Sequence, residues 1–311
     1  MLMTLRLVPD IYLAQCSPMF LSATPKRSCL QHLSDYPPVK FLLTNDDGIE
    51  APGLASLYES LRRHLTSDDS VIVVAPDQCR SECGHSVTTG RSLTLTPRPD
   101  VATLVEEQRS QQGFPNKATN GHSTIPSQWY SIDGTPVDCI RVALATMASD
   151  VDAVFSGINA GANLGACLLV SGTFAAAREA AFQGLPAMAV SQLRHPDVPQ
   201  NWDHAPEWLQ SIIATFKRNL DDTTSQKRLW NVNLPALAES TPIPPTIQCD
   251  VDQNPIPRRV ELGALHSEKS SAGNPVRFEL DFHGRPHAKD TDIHHCFRGA
   301  ITVSHLRATA G

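Results

Sequence analysis

FLLTNDDGIEAPG, residues Phe41 to Gly53, carries the clearest signal in the chain. Phe41, Leu42 and Leu43, with Val39 just before them, form a short apolar run suited to a buried strand. The run stops at Asn45, Asp46, Asp47 and Gly48. Adjacent carboxylates repel, and burying them unpaired is costly. Asp-Asp-Gly also suits an ordinary solvated turn. At the C-terminal end of a parallel strand, however, the pair faces the crevice where α/β sheets bind ligands. A hard divalent cation there relieves the repulsion by taking oxygen ligands.

The residues that follow supply the rest of the expected architecture. Leu54, Leu57, Tyr58 and Leu61 fall at i, i+3, i+4 and i+7, one face of a helix. Val71 to Ala75 is a second apolar strand, stopped by Pro76 and Asp77. A polar loop to Gly90 and an alternating strand, Ser92 to Thr96, come next. The region from Asp100 to Gln128 is polar and is expected to be a surface insertion without regular structure. Trp129 to Ile132 is the next strand. Thr135, Pro136 and Asp138 then open a helix that runs to about Met147. Val151 to Ser156 is a strand ending at Gly157, Ile158 and Asn159. After a glycine-rich loop, Ser171-Gly172-Thr173 opens a helix from about Phe174 to Gln183, and Ala187 to Val190 is a further strand. The alternation predicts a doubly wound, mostly parallel α/β sheet from about Val39 to Ser191.

The C-terminal third reads differently. A helix is expected over Glu207 to Lys217 and a strand over Leu229 to Leu234. A proline-rich stretch, Pro235 to Pro257, interrupts regular structure. Val276 to Leu280 and Ala300 to Val303 are expected to be β-hairpin extensions of the core. Residues 1–38 carry Arg6, Lys26, Arg27 and several serines and are expected to be a disordered or targeting extension. Their apolar stretches are interrupted by Pro9, Asp10 and Pro18, which argues against a secretory signal. Residues 39–311 are then one domain, with a core over 39–235 and extensions over 236–311.

The chain has 311 residues, is 41% hydrophobic and carries a net charge of −6, so a packed core is expected. It has no long basic run, which argues against binding a nucleic-acid polymer. No segment approaches the roughly 20 apolar residues of a membrane span. The eight cysteines are scattered, without CxxC or zinc-finger spacing, as suits a reducing compartment such as the cytoplasm. His283, His287, His294 and His295 crowd one polar region but lack zinc-ligand spacing.

Three strand ends converge on one rim of the predicted sheet. They bring Asp46 and Asp47, the loop holding Ser81, and Asn159. Carboxylate, hydroxyl and amide oxygens suit Mg²⁺, Mn²⁺ or Ca²⁺. Ser171-Gly172-Thr173 at a helix N-terminus either caps the helix or, beside a metal, cradles a phosphate. Arg80 and His85 flank the Ser81 loop, where either neutralises phosphate charge or His85 serves as an acid.

Four blocks now resemble a known family: TNDDGIEAPGL from Thr44, VAPDQCRSECGHS from Val74, DGTPVDCIRVAL from Asp133, and SGINAGANLG with SGTFAAAREAAFQGLPAMAVS from Ser156 to Ser191. They resemble SurE, the survival-protein family of metal-dependent nucleoside monophosphate phosphatases. Trp230 to Pro235, Asp290-Thr291-Asp292 and Gly299 to Leu306 are similar to the family's closing segments. The resemblance implies a Rossmann-like core with hairpin extensions that build a homodimer or homotetramer. It implies one divalent metal ion per subunit, Mg²⁺ or Mn²⁺, held by Asp46, Asp47, Ser81 and Asn159. Asp46, Asp47 and Asn159 are then the catalytic candidates. Asn45, Arg80, His85, Ser171, Gly172 and Thr173 are the substrate-binding candidates. The implied reaction is hydrolysis of nucleoside 5′- and 3′-monophosphates, with short polyphosphate as a further substrate. Ala166 and Cys167 stand where the family carries an acidic or polar residue, and Val170 where an aromatic or histidine is common. A catalytically weakened member that binds nucleotide or phosphate as an oligomer is the alternative. A receiver domain shares the paired acids but needs an aspartate where Asn159 stands, and a shorter chain.

Overall fold

The computed structural model describes residues 37–81, 83–111, 125–220, 228–238, 241–262 and 276–308. The expected extension, residues 1–38, lies outside them except for its last two positions. The apolar run becomes β1 (Lys40–Thr44), buried on both faces, which is why it reads as continuous rather than alternating. Around it lies a nine-stranded sheet. Strands β2 (Ser70–Pro76), β4 (Ser127–Ile132), β5 (Ala153–Ala160), β6 (Ala187–Gln192) and β7 (Leu229–Leu234) join β1 in the parallel order β4-β2-β1-β5-β6-β7. The chain lays strands down on one side of β1 up to β4 and then crosses to β5 on the other. The order therefore reverses between β1 and β5, and ligands of such sheets bind outside the strand ends at that reversal.

Helices cover both faces. α1 (Pro52–Arg62), α2 (Pro99–Gln111), α5 (Ala205–Trp208) and α6 (Gln210–Arg218) pack on the face that carries Phe41, Leu43, Val71 and Val73. α3 (Pro136–Thr146) and α4 (Gly172–Phe182) cover the other, around Leu42, Ile72 and Val74. Strand side chains alternate between faces with period two, so one strand feeds both cores. Thr135 caps α3, accepting from the Asp138 backbone N–H at 3.1 Å while the Asp138 carboxylate accepts from Thr135 N–H at 2.9 Å.

Part of the region expected to lack structure is helical. α2 opens at Pro99 and buries Val101, Val105 and Arg109 at intervals of four. Such a narrow stripe is easily hidden among Gln, Glu and Ser. Glu106 receives Arg62 of α1 at 2.8 Å and Arg109 at 2.6 Å, which ties α2 to its neighbour. The strand expected over Ser92 to Thr96 is shorter and later. Only β3 (Leu95–Pro97) pairs, antiparallel to β4, because Thr94 N–H is taken by Asp133 at 2.8 Å.

At the other edge, β11 (Ile301–Leu306) runs antiparallel to β7 and parallel to β8 (Thr246–Gln248). The segment at Ala300 to Val303, expected in a hairpin extension, is therefore part of the main sheet. The separate hairpin is β9 (Arg258–Leu262) with β10 (Val276–Leu280). The last helix, α7 (Asp292–Cys296), precedes β11. No helix among the described residues is long and apolar enough to cross a membrane.

Candidate active site

The turn after β1 is built by its own side chains. Asn45 Nδ2 donates to the Gly48 carbonyl at 2.8 Å, and Gly48 N–H donates to Asn45 Oδ1 at 3.2 Å. Both ends of the amide thus close the turn, and Asn45 itself is fully buried. This aims Asp46 and Asp47 in different directions. Asp46 is 3% exposed, and its Oδ1 accepts from the Thr173 hydroxyl at the start of α4. Asp47 is half-buried, and its Oδ2 accepts from Ala160 N–H at 3.0 Å. The acidic pair is therefore pinned to α4 on one side and to the end of β5 on the other.

The charge balance of the pair is unfavourable. Burial pushes the Asp46 carboxyl up to about 6, and the neighbouring Asp47 charge adds to the rise. The Thr173 hydroxyl and backbone amide act in the opposite direction, favouring the charged form. Among the described residues neither carboxylate has an ion-pair partner within 4.0 Å. Two carboxylates set at a strand end without a counter-charge are a fit for a divalent cation.

Asn159 ends β5 beside Asp47. Its Nδ2 donates to the Gly161 carbonyl at 2.6 Å, and its Oδ1 accepts nothing from the described residues. The amide is thus locked with its oxygen spare, as a hard cation requires. The β5–β6 register shifts between Ser156 and Asn159, which re-aims the strand end. Gly157 at that shift has φ +139, and a Cβ there would meet the Val190 carbonyl oxygen at 2.2 Å. Ser81 is exposed on the loop after β2, its Oγ 3.0 Å from Cys79 Sγ. Arg80 N–H donates to the Asp46 carbonyl at 2.7 Å, so this loop is stitched to the acidic turn one residue from Ser81. Among the described residues no three His, Cys, Asp or Glu side chains gather as a metal site. The candidate set has two carboxylates, with a hydroxyl and an amide completing it.

The Ser171-Gly172-Thr173 motif divides its duties. Ser171 caps α4, its Oγ accepting from Phe174 N–H at 3.0 Å. Gly172 lies against the Asp46 carboxylate, where a Cβ would come within 3.0 Å of Oδ2. Thr173 holds Asp46. The two cationic candidates are engaged elsewhere. Arg80 pairs with Asp77 at 3.0 Å. His85 Nε2 lies 2.9 Å from Glu179, and its Nδ1 is 3.3 Å from Arg178 Nε. Glu179 also receives Arg141 at 2.8 Å. Seven residues past Gly172, Glu179 lies about 10 Å along the helix at the usual rise. The His287, His294 and His295 rings adjoin one another beside α7, while the His283 ring packs against His195, just after β6.

Two supports were not legible as site residues. Asn163, in the loop after β5, donates to Ser191 Oγ at 2.8 Å, and Asn231 and Asn233 of β7 donate to its carbonyl at 2.9 and 3.1 Å. Asp292, fully buried at the start of α7, accepts from Gly165 N–H at 2.9 Å and Asp252 N–H at 2.8 Å. Together they pin the glycine-rich loop leading to α4. The signal for Asp292 was its place in Asp290-Thr291-Asp292. Asn231 and Asn233 stood out only as amides in a buried strand.

The chain is similar to known proteins over most of its length. The model of the family described as survival protein SurE matches residues 41–252. A relative from Synechocystis sp. is 34% identical over 269 residues, 86% of this chain and 100% of its own length. A protein from Xanthomonas axonopodis pv. citri named 5′-nucleotidase SurE is 38% identical over 203 residues, 65% of this chain and 66% of its own. The crystal structure of SurE protein from Aquifex aeolicus shares the fold, with a TM-score of 0.63 at 24% identity over 88% of this chain and 94% of that one.

Proposed function

We infer that this chain, which belongs to the survival protein SurE family, is a metal-dependent phosphomonoesterase that releases phosphate from nucleoside 5′-monophosphates. The observation that carries the reading is the acidic pair itself. Asp46 and Asp47 stand without a counter-charge where the strand order reverses, next to a locked Asn159 and the N-terminus of α4. Relatives named 5′-nucleotidase SurE support the substrate class.

Asp46, Asp47, Ser81 and Asn159 would hold one Mg²⁺ or Mn²⁺. When bound, such a cation acidifies water and neutralises phosphate charge. Asp47, the more accessible carboxylate, would be the base placed to take a proton from water at that site. Thr173 keeps Asp46 oriented and favours its charged form. The phosphoryl group lies between the ligand set and the Ser171–Gly172 edge of α4, where the helix dipole favours negative charge. Arg80, whose backbone N–H binds the Asp46 carbonyl, is the candidate to neutralise phosphate charge if its guanidinium turns from Asp77. His85 acts through the Glu179 and Arg178 network.

Extension to 3′-monophosphates and short polyphosphate belongs to the same proposal, as does a homodimer or homotetramer. The hairpin supports assembly. Val276, Phe278 and Leu280 alternate onto one face of β10, each about half exposed or more, and Val260 of β9 pairs with Phe278 on that face. Cys79, Cys83, Cys139, Cys167, Cys249 and Cys296 are all free thiols, in keeping with a cytoplasmic protein.

The test is phosphate release from nucleoside 5′- and 3′-monophosphates and polyphosphate, with Mn²⁺ and with EDTA. Activity is expected with the metal, abolished by EDTA and in Asp47→Asn. Undiminished activity in EDTA would refute the metal reading.

A further inference from the structure

Arg285, in the segment after β10, is a cation buried without a counter-charge. It is 3% exposed, and no carboxylate pairs with it among the described residues. Its guanidinium lies over the Phe282 ring at 4.3 Å and 5.7 Å from the Phe297 ring. Aromatic faces attract the charge but leave the N–H groups in the guanidinium plane unmatched. Of those groups, Nη1 donates to Cys167 Sγ at 3.2 Å, while Nε and Nη2 are buried and unpartnered among the described residues. Asp292, which feels this charge, spends both oxygens on the N–H groups of Gly165, Asp252 and Ile293. A buried guanidinium left in this way is costly unless an anion reaches its edge.

Cys167 is where such an anion can be made. It sits in a short 3₁₀ turn, Gly165–Leu169, on the loop leading to α4, and is half-buried. The unpartnered N–H groups are shut off from water, so a diffusing anion does not meet them. An oxygen bonded to Sγ is carried to them with the sulfur. Nη1 and Nη2 form one edge of the planar fork, which takes two oxygens side by side. A cysteine sulfinate presents two oxygens as a carboxylate does. Oxidation-sensitive thiols lie in partly exposed, electropositive surroundings, and Cys167 has both features.

We propose that Cys167 is a site of oxidation by peroxide, and that Arg285 is the group that receives its sulfinate. In the first step Sγ attacks one peroxide oxygen. An S–O bond forms as the O–O bond breaks, and the thiol proton leaves with the other oxygen as water. Sulfur is oxidised to the sulfenic acid and peroxide is reduced. A second peroxide repeats the transfer, giving sulfinic acid and water, and the acid's proton passes to solvent. The sulfinate then bridges Nη1 and Nη2, and so ties the segment after β10 to the loop that leads to Ser171.

The test treats the full-length protein with hydrogen peroxide, with and without dimedone to trap sulfenic acid, and follows each cysteine peptide by mass spectrometry. Cys167 is expected to take up one and then two oxygens at least about tenfold faster than Cys79, which is more exposed but has its Sγ 3.0 Å from the Ser81 hydroxyl instead. In Arg285→Gln that advantage should fall at least about fivefold. A second arm leaves the buried Arg285 in place, so that it stands even where the Gln variant fails to fold. Cys167→Asp copies the sulfinate with a carboxylate, and its thermal midpoint should lie about 2–4 °C above that of Cys167→Asn. Oxidation of Cys167 no faster than that of Cys79, an unchanged rate in a folded Arg285→Gln, or an Asp variant no more stable than the Asn variant overturns the proposal.

Discussion

Ser171 and Thr173 are two residues apart and do separable work. Ser171 satisfies a helix N–H, and Thr173 holds Asp46. Groups that orient a metal ligand usually cost about 10- to 100-fold in metal affinity when removed. Thr173→Val, nearly isosteric, should therefore weaken Mn²⁺ binding by about that factor, while Thr173→Ser restores it. Calorimetric titration decides, and wild-type affinity in the Val variant would show that Asp46 orients itself. Ser171→Ala should instead cost about 1 kcal/mol of stability in urea unfolding, the usual loss of an N-cap, with Mn²⁺ affinity unchanged. Gly172 bears on both, since the contact distance to Asp46 leaves no room for a side chain. The roles within this motif were not legible in the sequence, where cap and phosphate cradle share one composition.

At the scale of elements, the junction between the end of α1 and α6 is one place where pH acts on stability. Lys217 of α6 donates to the His64 carbonyl at 3.0 Å and pairs with Asp69 at 3.1 Å. Asp69 also accepts from Val39 N–H at 2.6 Å, so one carboxylate fixes the entry to β1. His64 is packed into this junction with Nε2 buried and unpartnered among the described residues. Burial, with Lys217 and Arg63 adding to it, lowers its pKa from 6.5 to about 4. The folded state thus keeps His64 neutral where the unfolded chain already binds a proton. Stability from this group is fully present above pH 6.5 and is lost as pH falls from 6.5 towards 4. Between pH 7 and 4, wild type should lose about 2 kcal/mol more than His64→Gln in urea unfolding, from 1.36 kcal/mol per unit discounted for partial exposure. Parallel pH profiles would show that His64 is not the buried titrating group.

At the scale of the whole molecule, the hairpin is the part least explained by a lone subunit. Phe278 is 65% exposed and Leu280 57%, on a two-stranded ribbon outside the main sheet. Two strands alone are marginal in water, so the apolar face calls for a partner, which we assign to a second copy of this chain. Phe278→Glu should shift the proposed homodimer or homotetramer towards monomer in sedimentation velocity, with the far-ultraviolet circular dichroism unchanged. A monomeric wild type, or an unchanged sedimentation coefficient in the variant, would remove the hairpin from any assembly.

What the sequence settled by itself was local in origin. Apolar runs of strand length, helical spacing at Leu54 to Leu61, and the Thr135 capping box each depend on near neighbours, so they survive without knowledge of the fold. The ends of β1 and β5 were legible for the same reason, because Asp46, Asp47 and Asn159 are polar residues that stop apolar runs. Tertiary structure decided what depended on distant partners. Thr173 meets Asp46 across 127 positions, and Asp292 meets Gly165 across another 127. The stripe of α2 became recognisable only against α1. β11 entered the main sheet rather than a hairpin because the open edge of β7 was there to pair with, and β8, from the proline-rich stretch expected to lack regular structure, then paired with β11. No periodicity encodes such meetings. They arise when separate elements bury their apolar faces together and leave each buried donor to find an acceptor.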